Sequence, residues 1–195
     1  QGKYLSLLAA GMNEGECVFG IDPYFDLPQI KDHPERYIKE LLGDIDIRMM
    51  IRDSLDLKAE DLRRDETPGI RIFHIDGNHH EDFVYNDLAI ADKCLIDAGV
   101  IVLDDYFHFS GVGVSSALFR YLIQENHTNL APVFAVGPKF YLCRPGYVKA
   151  YQDCFMQYFD RPDRPIFKAH WLGRSVISCS LTQLAPTALR KQQAS

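Results

Sequence analysis

Short apolar runs alternate along this chain with segments of helical periodicity. GKYLSLLAAGM sets Tyr4, Leu5, Leu7, Leu8 and Met12 at helical spacing and stops near Gly11. CVFGID (Cys17–Asp22) reads as a short strand closed by an acid and followed by Pro23. Residues Pro34–Leu42 predict a helix, with a proline suited to its first turn and Gly43 to its end. IDIRMMIRDS (Ile45–Ser54) alternates into another strand ending at Asp53 and Ser54. Lys58–Arg64 predicts a short charged helix facing solvent, and Thr67–Gly69 a turn.

The next stretch carries the strongest pattern. IRIFHID ends at Asp76 and GVIVLDD ends at Asp104 and Asp105, with a helix predicted between them from about Asp82 to Asp97. That order reads as β–α–β, two parallel strands whose carboxyl ends open on one edge of a sheet, where ligands of open α/β sheets bind. Val114–Gln124 is predicted as the following helix. PVFAV (Pro132–Val136) and KFYLC (Lys139–Cys143) are separated only by Gly137 and Pro138, which predicts an antiparallel hairpin at the sheet edge. RPDRP, from Arg161, is a turn-rich hinge. KAHWLGRSVISCSL beyond it reads as one more strand or an arm, and the last ten residues as disordered. The domain expectation is therefore 1–160 as one α/β domain and 161–195 as an extension or arm.

Composition narrows the classes. At 195 residues the chain suits one domain, and 47% hydrophobic with 25% charged residues is ordinary for a globular protein. A net charge of −6 argues against a nucleic-acid-binding surface spread over the whole domain. No apolar run reaches the roughly 18–20 residues needed to span a bilayer, and no signal peptide is visible, so no membrane partner is expected. The five cysteines (Cys17, Cys94, Cys143, Cys154, Cys179) lack CxxC spacing, which predicts free thiols in a reducing cytoplasm.

The candidate chemistry lies at the strand ends. Asp76, Asp104 and Asp105 would crowd like charges together unless a cation or hydrogen-bond donors compensated them. Oxygen ligands of this kind suit Mg²⁺, which typically takes one or two carboxylates plus water and substrate. Asp22 is placed to accept hydrogen bonds from a ribose, or is simply a turn acid before Pro23. His79, three residues beyond Asp76, and its neighbour His80 are well matched to proton transfer near neutral pH. His74, inside a strand, reads as a core histidine. Tyr106, Phe107, His108 and Phe109 either line an acceptor pocket or pack, and Gly111 and Gly113 permit the turn into the next helix.

GKYLSLLA, GIDPY, RDS, HIDGNHHEDFVYNDL and AGVIVLDDY, in this order over residues 2–145, resemble the class I S-adenosylmethionine-dependent methyltransferases. Within them the resemblance is to metal-dependent O-methyltransferases of small molecules, including those that modify sugars on macrolides. It implies a Rossmann-like α/β fold: a mostly parallel sheet with an antiparallel C-terminal hairpin and helices on both faces. It also implies S-adenosylmethionine as cofactor, a small hydroxylated acceptor and Mg²⁺ assistance. The family's residues map onto Gly2 in the loop beneath the cofactor, Asp22 on the ribose, Asp53 and Ser54 at the adenine, and Asp76 between cofactor and metal. Asp104 and Asp105 complete the metal set, and His79 or His80 is the base. Several sugar-modifying relatives carry an acid where this chain has Asn78, a departure that moves the base to His79. QGK matches the tail of the glycine loop, so the first strand and leading glycines are expected upstream of Gln1. Trp171, with His170 and Arg174, is read as part of an appended strand that mediates homodimer contacts.

Two other classes remain open at this point. An NAD(P)-dependent oxidoreductase would use Asp22 equally well, although the Pro132–Cys143 hairpin and the Asp104–Asp105 pair disfavour it. A non-catalytic cofactor-binding protein is the third, because fold does not imply function.

Overall fold

The computed structural model describes residues 3–24, 34–62, 69–159 and 166–179. The chain forms two compact units, divided at Leu62/Arg63. The predicted turn at Thr67–Pro68, the hinge from Arg161 to Pro165 and the chain end lie outside the described residues.

The first unit holds α1 (Lys3–Ala10), β1 (Val18–Ile21), α2 (Pro34–Leu42) and β2 (Ile47–Met50). β1 and β2 pair in parallel, with Val18 opposite Ile47. Helical periodicity does the packing here: Leu5, Leu8 and Ala9 of α1 and Ile38 and Leu42 of α2 meet Val18, Ile47 and Met49 in one cluster. Gly43, at φ 85°, ends α2 with its N–H on the Lys39 carbonyl, a turn that favours glycine because it carries no Cβ. Of the charged helix expected over Lys58–Arg64, the described residues form a 3₁₀ turn, Ala59–Leu62. It does not simply face solvent, since Ala59 and Leu62 are buried.

The second unit is built on a six-stranded mixed sheet. Its strands are β3 (Ile70–Ile75), β4 (Leu95–Leu103), β5 (Ala131–Val136), β6 (Lys139–Cys143), β7 (Phe167–Trp171) and β8 (Arg174–Cys179), in the spatial order β3-β4-β6-β5-β8-β7. β3 and β4 are parallel and joined through α3 (Glu81–Cys94), as the β–α–β pattern predicts. α4 (Val112–Phe119) follows and runs on into a π-helical turn, Arg120–Gln124. The hairpin β5–β6 forms across Gly137 and Pro138 but is not at the sheet edge. β6 lies against β4, and β8 adds in parallel to β5, so all six β5 residues are buried. The expected strand or arm near the C-terminus is instead a second hairpin, β7–β8, turning through Leu172 (φ 46°) and Gly173 (φ 80°). Two consecutive positive φ values suit the twist of a two-residue hairpin loop.

One helix escaped the sequence reading. In α5 (Val148–Phe159), Val148, Tyr151, Phe155 and Met156 pack on Val133, Phe134 and Ile177. Among the described residues no helix is long and apolar enough to cross a membrane.

The boundary of α3 also differs, ending at Cys94 rather than Asp97. The reason is Arg144, just beyond β6. Its Nη2 donates to the carbonyls of Asp92 (2.7 Å) and Leu95 (2.9 Å), and its Nη1 donates to the Asp92 carboxylate. Tyr121 donates its hydroxyl to the other Asp92 oxygen at 2.8 Å. Asp92, only 8% exposed, is thus a satisfied buried charge, and the guanidinium supplies donors to carbonyls that a helix end leaves without partners. Arg144→Met should cost about 3 kcal/mol or more in urea unfolding, because it strands a buried carboxylate. A change below about 1 kcal/mol would show that solvent already compensates Asp92.

Candidate active site

The site grows from the register of β3 and β4. Ile75 and Leu103 lie opposite each other, and the Asp104 N–H donates to the Ile75 carbonyl at 3.0 Å, so both strands run out together. Asp76 and Asp104 therefore emerge side by side. On the other flank β6 runs antiparallel with Phe140 opposite Leu103, which carries Lys139 to Asp104. Lys139 Nζ donates to Asp104 Oδ2 and lies 3.4 Å from His74 Nε2. The second Asp104 oxygen, Oδ1, accepts the N–H of Asp105 at 2.9 Å. Asp105 sits at φ 52°, a turn conformation that Asp tolerates better than most residues, and its Oδ2 is 3.4 Å from His79 Nε2.

Two overlapping sets of potential metal ligands result: His74, Asp76 and Asp104, and Asp76, His79 and Asp105. Within each set the donor atoms lie within 4.8 Å of one another. Hard oxygen donors from two strand ends are the chemistry a divalent cation selects, so the residues fit the ion that the resemblance implies.

The charges at this edge are uneven. Burial, then the facing carboxylates of Asp104 and Asp105, push the Asp76 carboxyl above the usual range. Burial would also raise Asp104, but the Lys139 ammonium and the Asp105 N–H outweigh it and hold that carboxyl low. His74 is driven down to about 4, first by burial and then by the Lys139 charge, so it is a neutral histidine at physiological pH.

The two loops carrying these acids are held by close backbone approach. A Cβ on Gly113 would lie 2.0 Å from the His79 carbonyl oxygen, and one on Gly111 would lie 1.8 Å from that of Asp105. These glycines thus do more than permit a turn, because they let the start of α4 rest against both loops. The aromatic run after the acids divides. Tyr106 stacks on Phe140 at 4.6 Å and accepts the Trp171 Nε1–H at 2.8 Å, whereas Phe107 and Phe109 are exposed, the latter 87%. Trp171, expected on a dimer strand, makes its hydrogen bond inside the unit.

The remaining sequence candidates are placed as follows. His80 caps α3 without a side-chain bond; its N–H donates to Asn78 Oδ1 at 3.0 Å, and it joins neither ligand set. In the first unit, Asp22 follows β1 and its Oδ1 accepts the Tyr24 N–H at 2.8 Å, the turn geometry that was the alternative to ribose binding. Asp53 caps the 3₁₀ turn Ser54–Asp56 through the Leu55 N–H at 2.9 Å, and Ser54 opens that turn. Gly2 lies outside the described residues. Lys139 was missed as a site residue. Its signal was its place at the start of the strand that returns antiparallel to the one ending in Asp104.

His74 sets a pH dependence. Above about pH 6.5 it is neutral whether folded or unfolded and costs nothing. Between about 6.5 and about 4 the unfolded chain takes up a proton that the folded chain refuses, so stability is lost as pH falls through that window. Wild-type thermal midpoints should therefore drop more steeply from pH 7 to 4 than those of His74→Gln. Parallel curves would show that His74 titrates normally.

A family model for a methyltransferase domain matches residues 1–106. No curated protein matches the chain. Among solved structures, apo CalS11, a TDP-rhamnose 3′-O-methyltransferase in calicheamicin biosynthesis, is similar at 17% identity and a TM-score of 0.52, covering 74% of this chain and 66% of that one. The O-methyltransferase NovP is similar at 14% identity and a TM-score of 0.52, covering 71% of this chain and 63% of that one. The chain thus spans just under two thirds of the length of either structure, and at these identities the likeness concerns the fold. Since the family model spans more than half of the sequence, and its stretch ends just past the Asp104–Asp105 pair, the chain belongs to the methyltransferase domain family.

Proposed function

We propose that this protein transfers a methyl group from S-adenosylmethionine to a hydroxyl of a small molecule, a natural product or a sugar, with Mg²⁺ assistance and His79 as base. The observation that carries the reading is the gathering of Asp76, His79 and Asp105 at the carboxyl ends of two adjacent parallel strands in a member of a methyltransferase family. The small-molecule acceptor is supported by the fold likeness to CalS11 and NovP, whose names describe O-methyltransferases, one acting on a sugar nucleotide. Family membership disfavours the oxidoreductase reading.

S-adenosylmethionine supplies an electrophilic methyl group on a sulfonium, and a hydroxyl must lose its proton to attack it. Mg²⁺, when bound, supplies a Lewis acid that lowers the pKa of such a hydroxyl. The carboxylates of Asp76, Asp104 and Asp105 are the residues that would hold the ion. His79 removes the proton. With the Nε2 proton turned to Asp105 Oδ2, 3.4 Å away, Nδ1 is the acceptor, and the carboxylate stabilises the imidazolium that forms. Asp22 would serve the ribose, and Asp53 with Ser54 the adenine, by exchanging local turn hydrogen bonds for bonds to the cofactor. Phe107 and Phe109 offer the acceptor an apolar surface beside the acids.

Calorimetry with S-adenosylhomocysteine, with and without Mg²⁺, tests the class directly: micromolar binding is expected, and its absence would sink the reading. His79→Gln should lower turnover roughly 10²–10⁴-fold while leaving S-adenosylhomocysteine affinity unchanged. Equal losses in both would make His79 structural. Turnover should be abolished by EDTA, and Asp76→Asn should no longer respond to added Mg²⁺. Full activity in EDTA would remove the metal and leave Lys139 as the resident cation.

A further inference from the structure

The hairpin β7–β8 is joined to the loop that follows the acids by one side chain. Trp171, the only tryptophan in the chain, donates its Nε1–H to the Tyr106 hydroxyl at 2.8 Å. Tyr106 directly follows the Asp104–Asp105 pair, and its ring stacks on buried Phe140 at 4.6 Å. Trp171 packs on the same Phe140 at 5.4 Å, and Phe107 stands edge-on to Tyr106 at 4.7 Å. Phe140 follows Lys139, the partner of Asp104, so the ring cluster adjoins the acids along both β4 and β6. The backbone of Tyr106 is held as well, since its carbonyl accepts the Ser115 hydroxyl at 2.8 Å. Beside this fixed ring Phe107 keeps 58% of its surface exposed.

An indole N–H can only donate, so the Tyr106 oxygen is the acceptor in that bond and its own O–H proton must point elsewhere. Among the described residues that proton meets no acceptor. A part-buried hydroxyl with a spare proton, next to an exposed apolar ring, is the pairing by which a small-molecule site holds and orients a ligand. Resting on the methyltransferase reading above, we propose that Tyr106 and Phe107 seat the methyl acceptor: Phe107 packs against its apolar face, and the Tyr106 O–H donates to one of its oxygens. Trp171 is a positioning residue, because its N–H occupies the Tyr106 oxygen and leaves the O–H to the acceptor. The ligand class that follows is a hydroxylated molecule with an apolar face, such as a pyranose ring carrying an apolar aglycone. The hairpin β7–β8 is thereby part of the acceptor site as well as of the sheet.

The test measures binding of phenyl α-rhamnopyranoside by calorimetry, on protein already holding S-adenosylhomocysteine and Mg²⁺. Tyr106→Phe, which keeps the ring, should weaken the rhamnoside about three- to tenfold and leave S-adenosylhomocysteine affinity unchanged. Wild-type rhamnoside affinity in that variant would leave the O–H to solvent and overturn the seat. Trp171→Phe, which keeps an aromatic ring and loses the donor, should also weaken the rhamnoside. In the double variant the loss should equal that of Tyr106→Phe alone, because Trp171 acts only through the hydroxyl. Losses that multiply would reduce Trp171 to packing and overturn its positioning role. With no other tryptophan in the chain, Trp171 emission reads the same bond directly. The rhamnoside should shift that emission in wild type and not in Tyr106→Phe, and equal shifts in both would overturn the link. If circular dichroism shows that Trp171→Phe does not fold, this emission comparison decides the positioning role. A wild-type protein that binds S-adenosylhomocysteine but not the rhamnoside would overturn the seat and leave the methyltransferase class standing. Failure to bind either would sink the class itself.

Discussion

Everything at this site follows from two parallel strands ending in step. With Ile75 opposite Leu103, the next residues on β3 and β4 are both carboxylates, and the sheet delivers them to one edge. Burial first, and then the facing carboxylates of Asp104 and Asp105, raise the Asp76 carboxyl above its usual range. The arrangement is tolerable only with positive charge nearby, and β6 brings it: its antiparallel register against β4 carries Lys139 to Asp104. The placement of β6 between β4 and β5 is therefore part of the electrostatics of the site as well as of the topology.

The same constraint separates the acids into roles. Asp104 is low, fully hydrogen-bonded and tied to three strands' worth of backbone and side chain; Asp76 is raised and Asp105 is set on a turn facing His79. Gly111 and Gly113 extend the logic to the loops, since α4 can rest on the carbonyls of Asp105 and His79 only where no Cβ intervenes.

Much of the frame was legible from periodicity. α1, α2, β1, β3, α4 and both strands of the β5–β6 hairpin fall where apolar spacing and turn residues put them, because each buries one continuous face. α3 was read three residues too long, since its end is decided by Arg144, far along the chain, rather than by a local cap. α5 and the paired strands β7 and β8 were not recognised as such; the apolar residues of α5 become meaningful only against Val133 and Phe134 of β5 and Ile177 of β8. Of the site, the acids and His79 could be named from strand-end position. His80, equally plausible as a residue type, is set apart by geometry alone, its place as the helix cap.

By itself the sequence determined the family and the residue types at the strand ends: carboxylates and a histidine after two β-like runs, in an order that resembles a methyltransferase domain. That information is local, since a strand end and an acid lie within a few residues of each other. Which partner each acid meets, and what compensates its charge, only the tertiary structure decided. Lys139 reaches Asp104 through strand order and antiparallel register. Neither is written in the neighbourhood of either residue, because hydrogen-bonded pairing of distant strands depends on the whole sheet closing at once.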